Sequence, residues 1–224
     1  MNTSDMLSQA RSIVLAHSNG RVLSGPFLGM SIDPQAVSWG DGDIVTKLLG
    51  CYEQEFHGVL EQAIARRIPR FVNVGCAEGY YAVGVARHGI PVVAVDMSET
   101  ALAACRQNAM LNGVELTLHR AIPRPVSGDF WLVDIEGGEA DLLRDSAGWE
   151  GVELLVELHE WVDRSLADRL LRIFGGSHGG QLLTMGARDP NRFDFLSRMP
   201  DVVRFALMSE RRPERMRWLH LQPR

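Results

Sequence analysis

Two stretches of this sequence concentrate side chains that could do chemistry. The first is Trp131-Leu132-Val133-Asp134-Ile135-Glu136-Gly137-Gly138-Glu139, where three carboxylates follow an apolar run. The second is Glu157-Leu158-His159-Glu160-Trp161, in which a period of two sets Glu157 and His159 on one side of a strand. Carboxylates gathered this closely are costly to bury unless they pair, hold a cation or move protons. His159 is the first candidate for taking a proton from a hydroxyl, since an imidazole titrates at ~6.5. Asp134 and Glu136 are the second. A divalent cation on Asp134, Glu136 or His159 is allowed by their oxygen and nitrogen ligands but not demanded by the spacing, and no metal is expected. Helix caps and solvated charges are the plain alternative for the cluster, and above all for Glu160.

A third stretch points to a ligand. Asn73-Val74-Gly75-Cys76-Ala77-Glu78-Gly79-Tyr80-Tyr81 reads as a glycine-rich turn from strand to helix. Gly75 permits the sharp turn, Ala77 lets a ligand approach the backbone, and Gly79 lets the next helix pack closely. The pattern is G-x-x-x-G and lacks the middle glycine of a pyrophosphate-binding loop, so a nucleoside without phosphates fits better. Asp96 ends the next apolar run, where an acid accepts hydrogen bonds from both ribose hydroxyls. Ser98 is the better N-cap for the helix that follows.

Short β-rich runs alternating with amphipathic stretches position these residues. Strands are predicted at Phe71–Val74, Val92–Val95, Val114–Leu118, Phe130–Ile135 and Val152–Leu158. Helices are predicted between them, near 79–88, 99–111, 139–144 and 164–174. Further strands at Gln181–Met185 and Arg217–Leu221, with a helix near 202–210, complete the set. The resulting expectation is an α/β fold: a Rossmann-like, mostly parallel seven-stranded sheet with helices on both faces. Residues 1–66 are expected to form an N-terminal helical extension or lid, with helices at 5–18 and 44–66 and irregular chain over 19–43. Residues 67–224 form the core.

Composition excludes other classes. Lys+Arg is 23 and Asp+Glu is 28 across 224 residues, a net charge of −5, which does not fit a bulk nucleic-acid binder. Hydrophobic residues at 46% are ordinary for a globular chain, and no apolar run approaches the ~20 residues of a membrane helix. Cys51, Cys76 and Cys105 show no C-x-x-C spacing, so neither a zinc site nor a disulfide framework is expected. With no secretory signal, a reduced cytoplasmic setting is expected. Lys47 is the only lysine among 23 basic residues, which reads as the codon bias of a GC-rich bacterial genome. The stretch from Arg188 to Arg224 carries nine arginines against five acids. It is either a solvated surface or a patch that attracts a carboxylate or phosphate of the substrate.

Phe71–Tyr81 resembles motif I of the class I S-adenosylmethionine-dependent methyltransferases. Asp134-x-Glu136-Gly137-x-Glu139 followed by Glu157-x-His159 is similar to their FkbM-type branch, as is, more loosely, Gly50-Cys51-Tyr52-Glu53. The family carries Asp where this chain has Asn73. The resemblance implies S-adenosylmethionine as cofactor and S-adenosylhomocysteine as product. It also implies that Asn73, Gly75, Cys76, Ala77, Gly79 and Tyr80 surround the methionine part, and that Asp96 holds the ribose with Met97 against the adenine. Arg120 and Ala121 would border the adenine edge, and Asp134 would stand near the amine or the transferred methyl. Lys47 and Tyr52 would close over the cofactor. The implied activity is O-methylation of a hydroxyl on a small molecule, a sugar or a secondary metabolite, with no nucleic-acid or membrane partner. Two alternatives stay open: a non-catalytic module that binds cofactor or partner, and an NAD-dependent oxidoreductase.

Overall fold

The computed structural model describes residues 3–36 and 43–224, so residues 37–42 of the stretch expected to be irregular lie outside it. Seven strands form one sheet: β1 (Phe71–Val74), β2 (Val92–Val95), β3 (Thr117–His119), β4 (Phe130–Val133), β5 (Glu153–Leu158), β6 (His178–Thr184) and β7 (Arg217–Pro223). Their order is β3-β2-β1-β4-β5-β7-β6, and only β7 runs against its neighbours. This is the mostly parallel Rossmann-like sheet expected from the alternating pattern.

The strands β1, β2, β4 and β5 are buried throughout, as parallel strands covered on both faces must be. Successive side chains enter opposite cores. Phe71, Phe130, Leu132 and Trp218 join one cluster, while Val72, Val74, Trp131 and Val133 join the other. The first face carries α1 (Thr3–Ser18), α2 (Ile44–Leu49), α3 (His57–Ala65), α4 (Tyr80–Ala86), α5 (Glu99–Leu111) and α8 (Asp201–Leu207). The second carries α6 (Glu139–Leu142) and α7 (Leu166–Phe174). The N-terminal helices therefore share a hydrophobic core with the sheet, through Ala10, Val14, Leu48 and Leu60. Among the described residues no helix is long and apolar enough to cross a membrane.

Three elements differ most from the expectation, one of them β6, which begins at His178 instead of Gln181 and ends at Thr184. The helix expected over 44–66 is broken after Leu49. Gly50 there takes φ +74°, and a Cβ on it would meet the Ser24 carbonyl oxygen at 2.0 Å. The chain turns through Glu53, also left-handed at φ 48°, before α3 begins. The third strand lies at Thr117–His119 instead of Val114–Leu118, because the Val114 N–H is used at the end of α5, bonded to the Ala109 carbonyl.

Candidate active site

The site is built where the sheet order reverses, between β1 and β4, at their carboxyl ends. In open α/β sheets that crevice is where ligands bind. Gly75 follows β1 with φ +80°, and a Cβ there would lie 1.6 Å from the Asp134 carbonyl oxygen. The two turns are thus in backbone contact, and only glycine permits it. The Asp134 N–H bonds to the Val74 carbonyl at 2.9 Å, and the Gly75 and Cys76 N–H groups share the Val95 carbonyl. These bonds fix the ends of β1, β2 and β4 around a cleft of about 1010 Å³.

One wall holds a ribose-type recognition group. Asp96 Oδ2 accepts from the Ala77 N–H at 3.0 Å and Oδ1 from the Ser98 N–H at 2.8 Å. Each oxygen keeps a lone pair for a ligand hydroxyl. Ser98 caps α5 as expected, accepting from the Ala101 N–H. Beside Asp96, Met97 and Ile122 line the cleft, 83% and 45% exposed. Apolar side chains held out in this way offer two faces to a flat, apolar ring. This wall fits the adenosine of S-adenosylmethionine, and the carboxylates of Asp134 and Glu136 beside it suit a cationic centre. Gly75, Ala77 and Arg120 also line the cleft; Arg120 reaches Glu99 at 3.0 Å.

The other wall comes from the N-terminal segment. Lys47 is buried between Glu78, to which it is hydrogen-bonded, and Asp43 at 2.5 Å, and its ammonium lies 4.7 Å from the centre of the Tyr52 ring. Burial pulls the Lys47 proton affinity down, but the two carboxylates outweigh it and the ammonium is held charged. Lys47 and Tyr52 both line the cleft. Five expected cofactor residues stand back from its wall. Asn73 is buried within the sheet with its Oδ1 unpartnered among the described residues. Cys76 is buried, its thiol raised by a hydrogen bond to Cys105 and by burial. Gly79 begins α4, and a Cβ there would crowd Cys105. Tyr80 packs its ring edge against Tyr52 and Phe27. Ala121 is exposed beside Arg120, outside the cleft.

The carboxylates gather as their spacing indicated. Glu139 is fully buried, and its Oε1 accepts from the Ile135 and Gly137 N–H groups, closing the turn after β4. The same oxygen meets His159 Nδ1 at 2.7 Å. His159 Nε2 lies 3.5 Å from Asp134 Oδ1 and 3.3 Å from Glu136 Oε2. Burial lowers the imidazole's proton affinity, but the bond to Glu139 and the charges of Asp134 and Glu136 override it and raise its pKa. Glu139 shows the converse: burial pushes it up, and His159 holds it below the usual carboxylate range. His159 is 1% exposed and stands behind Asp134 and Glu136, which line the cleft. Asp134 has 32% of its side chain exposed to the cleft, yet the packing around it and the charge of Glu53 push its carboxyl up to about 7.

Sequence reasoning singled out Glu157 but missed its partners behind this cluster, Arg212 and Glu53. Glu157 is buried and raised well above its usual value, by desolvation first and then by Asp134 and Glu53. Arg212 donates to Glu157 at 2.8 Å, to the Tyr52 hydroxyl at 2.9 Å, and to Glu53. Glu53 also accepts from the Tyr81 hydroxyl. Asp134, Glu157 and His159 bring ligand atoms within 4.8 Å of one another. The Arg212 guanidinium on Glu157 already supplies positive charge there. No local signal marks Glu53 and Arg212 as partners: they are 159 residues apart.

Residues 72–149 match the family model described as a methyltransferase domain. No curated protein sequence matches the chain. Among solved structures the fold is similar to a human methyltransferase 10 domain containing protein, at TM-score 0.56 and 15% identity, covering 100% of this chain and 98% of that one. It is similar to a protein described as an O-methyltransferase from Klebsiella pneumoniae, at TM-score 0.54 and 12% identity, over 98% and 90% of the two chains. It is also similar to the ribosomal protein L11 methylase of Lactobacillus delbrueckii subsp. bulgaricus, at TM-score 0.50 and 15% identity, over 87% and 85%.

Proposed function

We propose that this chain is an S-adenosylmethionine-dependent methyltransferase, that it methylates a hydroxyl on a small molecule and that it belongs to the FkbM-type branch. The observation that carries the acceptor class is Asp134. It is a cleft-facing carboxyl at the end of β4 whose proton affinity sits at about 7, where it both takes up and releases a proton near neutral pH. An amine acceptor can lose its proton before binding, whereas a hydroxyl needs a group of this kind beside it. The branch assignment is supported by Asp134, Glu136, Glu139, Glu157 and His159 meeting at one edge of the sheet.

The bound cofactor supplies a methyl group already activated on a positive sulfonium, so the protein's work is alignment, water exclusion and proton handling. Asp96 would hold the cofactor by its ribose, Met97 and Ile122 would flank the adenine, and Lys47 and Tyr52 would close the opposite side of the cleft. Asp134 would take the acceptor's proton at a carboxylate oxygen while the methyl group passes from sulfur to the acceptor oxygen, the carbon–sulfur bond breaking to release S-adenosylhomocysteine. His159 is a positioning residue: anchored on Glu139, it directs its second nitrogen at Asp134 and Glu136 and supports their negative charge.

Calorimetric titration with S-adenosylhomocysteine, with NAD run in parallel, tests the cofactor. Saturable binding of the first alone is the expected result. A radiolabelled methyl-transfer screen over sugars and phenolic metabolites, each paired with its amino analogue, then tests the acceptor. Transfer to amines in preference to hydroxyls overturns the reading, and tight binding with no transfer at all points to a non-catalytic module.

A further inference from the structure

The arginine-rich stretch from 188 to 224 divides into two kinds of residue. Arg188, Arg204, Arg212 and Arg217 each meet a carboxylate, whereas Arg192, Arg198, Arg211, Arg215 and Arg224 meet none among the described residues, and of these five only Arg211 lines the cleft. Arg211 is exposed. Its backbone is left-handed, at φ 54°. A non-glycine residue keeps that conformation only where its surroundings dictate it, and such residues cluster at functional sites. Here the surroundings do dictate it. Glu210, just before, is buried against Arg188 at 2.5 Å and accepts from the Glu53 N–H at 3.0 Å. Arg212, just after, is anchored on Glu157, Glu53 and Tyr52. Buried ion pairs on both sides thus clamp the chain so that the one residue between them stands at the cleft with its guanidinium unpaired among the described residues.

The rest of the cleft makes that placement directional. Its floor carries Asp134 and Glu136, and the fixed positive charge of Arg212 beside them is already matched by Glu53 and Glu157. Trp161, 37% exposed, Ile135 and Pro213 add apolar surface. A planar guanidinium without an internal partner is suited to bidentate recognition of an oxyanion. A single such group beside an acidic floor balances one negative charge better than two.

We propose that Arg211 binds a carboxylate on the methyl acceptor, which makes the acceptor an aromatic hydroxy acid: the ring rests on Trp161, the carboxylate on Arg211 and the hydroxyl faces Asp134. This rests on the hydroxyl-methylation reading above and narrows its substrate class. It also assigns Arg211 as the specificity-determining member of the arginine-rich stretch.

The test is a calorimetric titration of 4-hydroxybenzoate, and of the neutral 4-hydroxybenzamide, into protein saturated with S-adenosylhomocysteine. The acid is expected to bind about tenfold or more tighter than the amide, from the charge-assisted bonds that only it can make. Arg211→Ala is expected to erase that preference, and Arg211→Lys to keep part of it, because the charge remains and the planar fork is lost. Binding of S-adenosylhomocysteine to both variants is the control for folding. Equal binding of acid and amide, binding of neither, or a preference that survives Arg211→Ala overturns the assignment while the cofactor reading stands. Failure of S-adenosylhomocysteine to bind the wild-type protein removes the methyl-transfer reading, and this inference with it.

Discussion

Replacing Gly75 with alanine sets a new side chain against the backbone of the neighbouring strand. The added Cβ would lie 1.6 Å from the Asp134 carbonyl oxygen and 2.7 Å from its carbon, where ordinary contact begins at 3.4 Å. The turns after β1 and β4 must therefore move apart by nearly 2 Å. That shift takes the Asp134 N–H to Val74 carbonyl bond, 2.9 Å in the structure, beyond hydrogen-bonding range. The lost buried backbone bond costs ~1–3 kcal/mol, and holding alanine at φ +80° costs ~1–2 kcal/mol more. The whole is about 4 kcal/mol, which in a chain of this size lowers the melting temperature by roughly 10 °C. Gly89 provides the control. It has a similar φ of +77° but nothing within 4 Å of its Cβ, so Gly89→Ala should cost only the backbone part, ~1–2 kcal/mol. Urea denaturation of the two variants measures the difference directly. S-adenosylhomocysteine titration well below both melting points should show binding lost in Gly75→Ala alone, because the displaced turn carries Asp134 and Ala77 with it. If the two variants lose the same stability, the close approach of β1 and β4 does not constrain the site, and the cleft owes its shape to some other contact.

Other perturbations address the chemistry. With an accepted hydroxyl substrate, turnover should fall about tenfold per pH unit below 7, since Asp134 must be ionised to take a proton and its carboxyl is pushed up to about 7; a pH profile flat from 5 to 8 would exclude Asp134 as the base, and Asp134→Asn should retain S-adenosylhomocysteine binding and lose ~100-fold or more in single-turnover methyl transfer. Asp96→Ala should abolish cofactor binding by calorimetry, with Asp96→Asn retaining a weakened affinity because the amide still accepts from one backbone N–H. Arg212→Met leaves Glu53 and Glu157 buried without their cation, and should destabilise the fold by ~3–5 kcal/mol in chemical denaturation. His159 has a raised pKa, so its contribution to stability is complete at pH values below the unfolded value of ~6.5 and is lost as pH rises through the folded value. Denaturation midpoints measured from pH 5 to 9 should decline across that window, and His159→Gln should flatten the decline.

Much of this arrangement was legible in the sequence because its signals are local. The short β-rich run of β1 stops at Gly75, those of β2 and β4 stop at Asp96 and Asp134, and Ser98 announces the helix it caps. Asp134, Glu136 and Glu139 lie within six residues, so their convergence with Glu157 and His159 needs only that β4 and β5 be neighbours. Other features depend on contacts distant in sequence. Nothing near Gly50 reveals that Ser24 will crowd it and stop the helix. Glu53 reads as an ordinary surface acid until Arg212 arrives from the far side of the chain. His159 stood out by type, but only its burial behind Asp134 and its bond to Glu139 show that it holds a proton more tightly than a free imidazole does.

The antiparallel strand β7 lies between β5 and β6, although it follows both in the chain. On a growing polypeptide, β6 therefore has no sheet neighbour until residues 217–223 have been made. The strand β5, apolar along most of its length, keeps an open edge for as long as that takes. The connection from β6 to β7 spans residues 185–216 and carries Arg188, Glu210 and Arg212, so the cleft's inner ion pairs form only as the β6–β7 hairpin docks. Completion of the sheet and formation of the cleft's inner ion pairs are thus coupled, since both wait on β7.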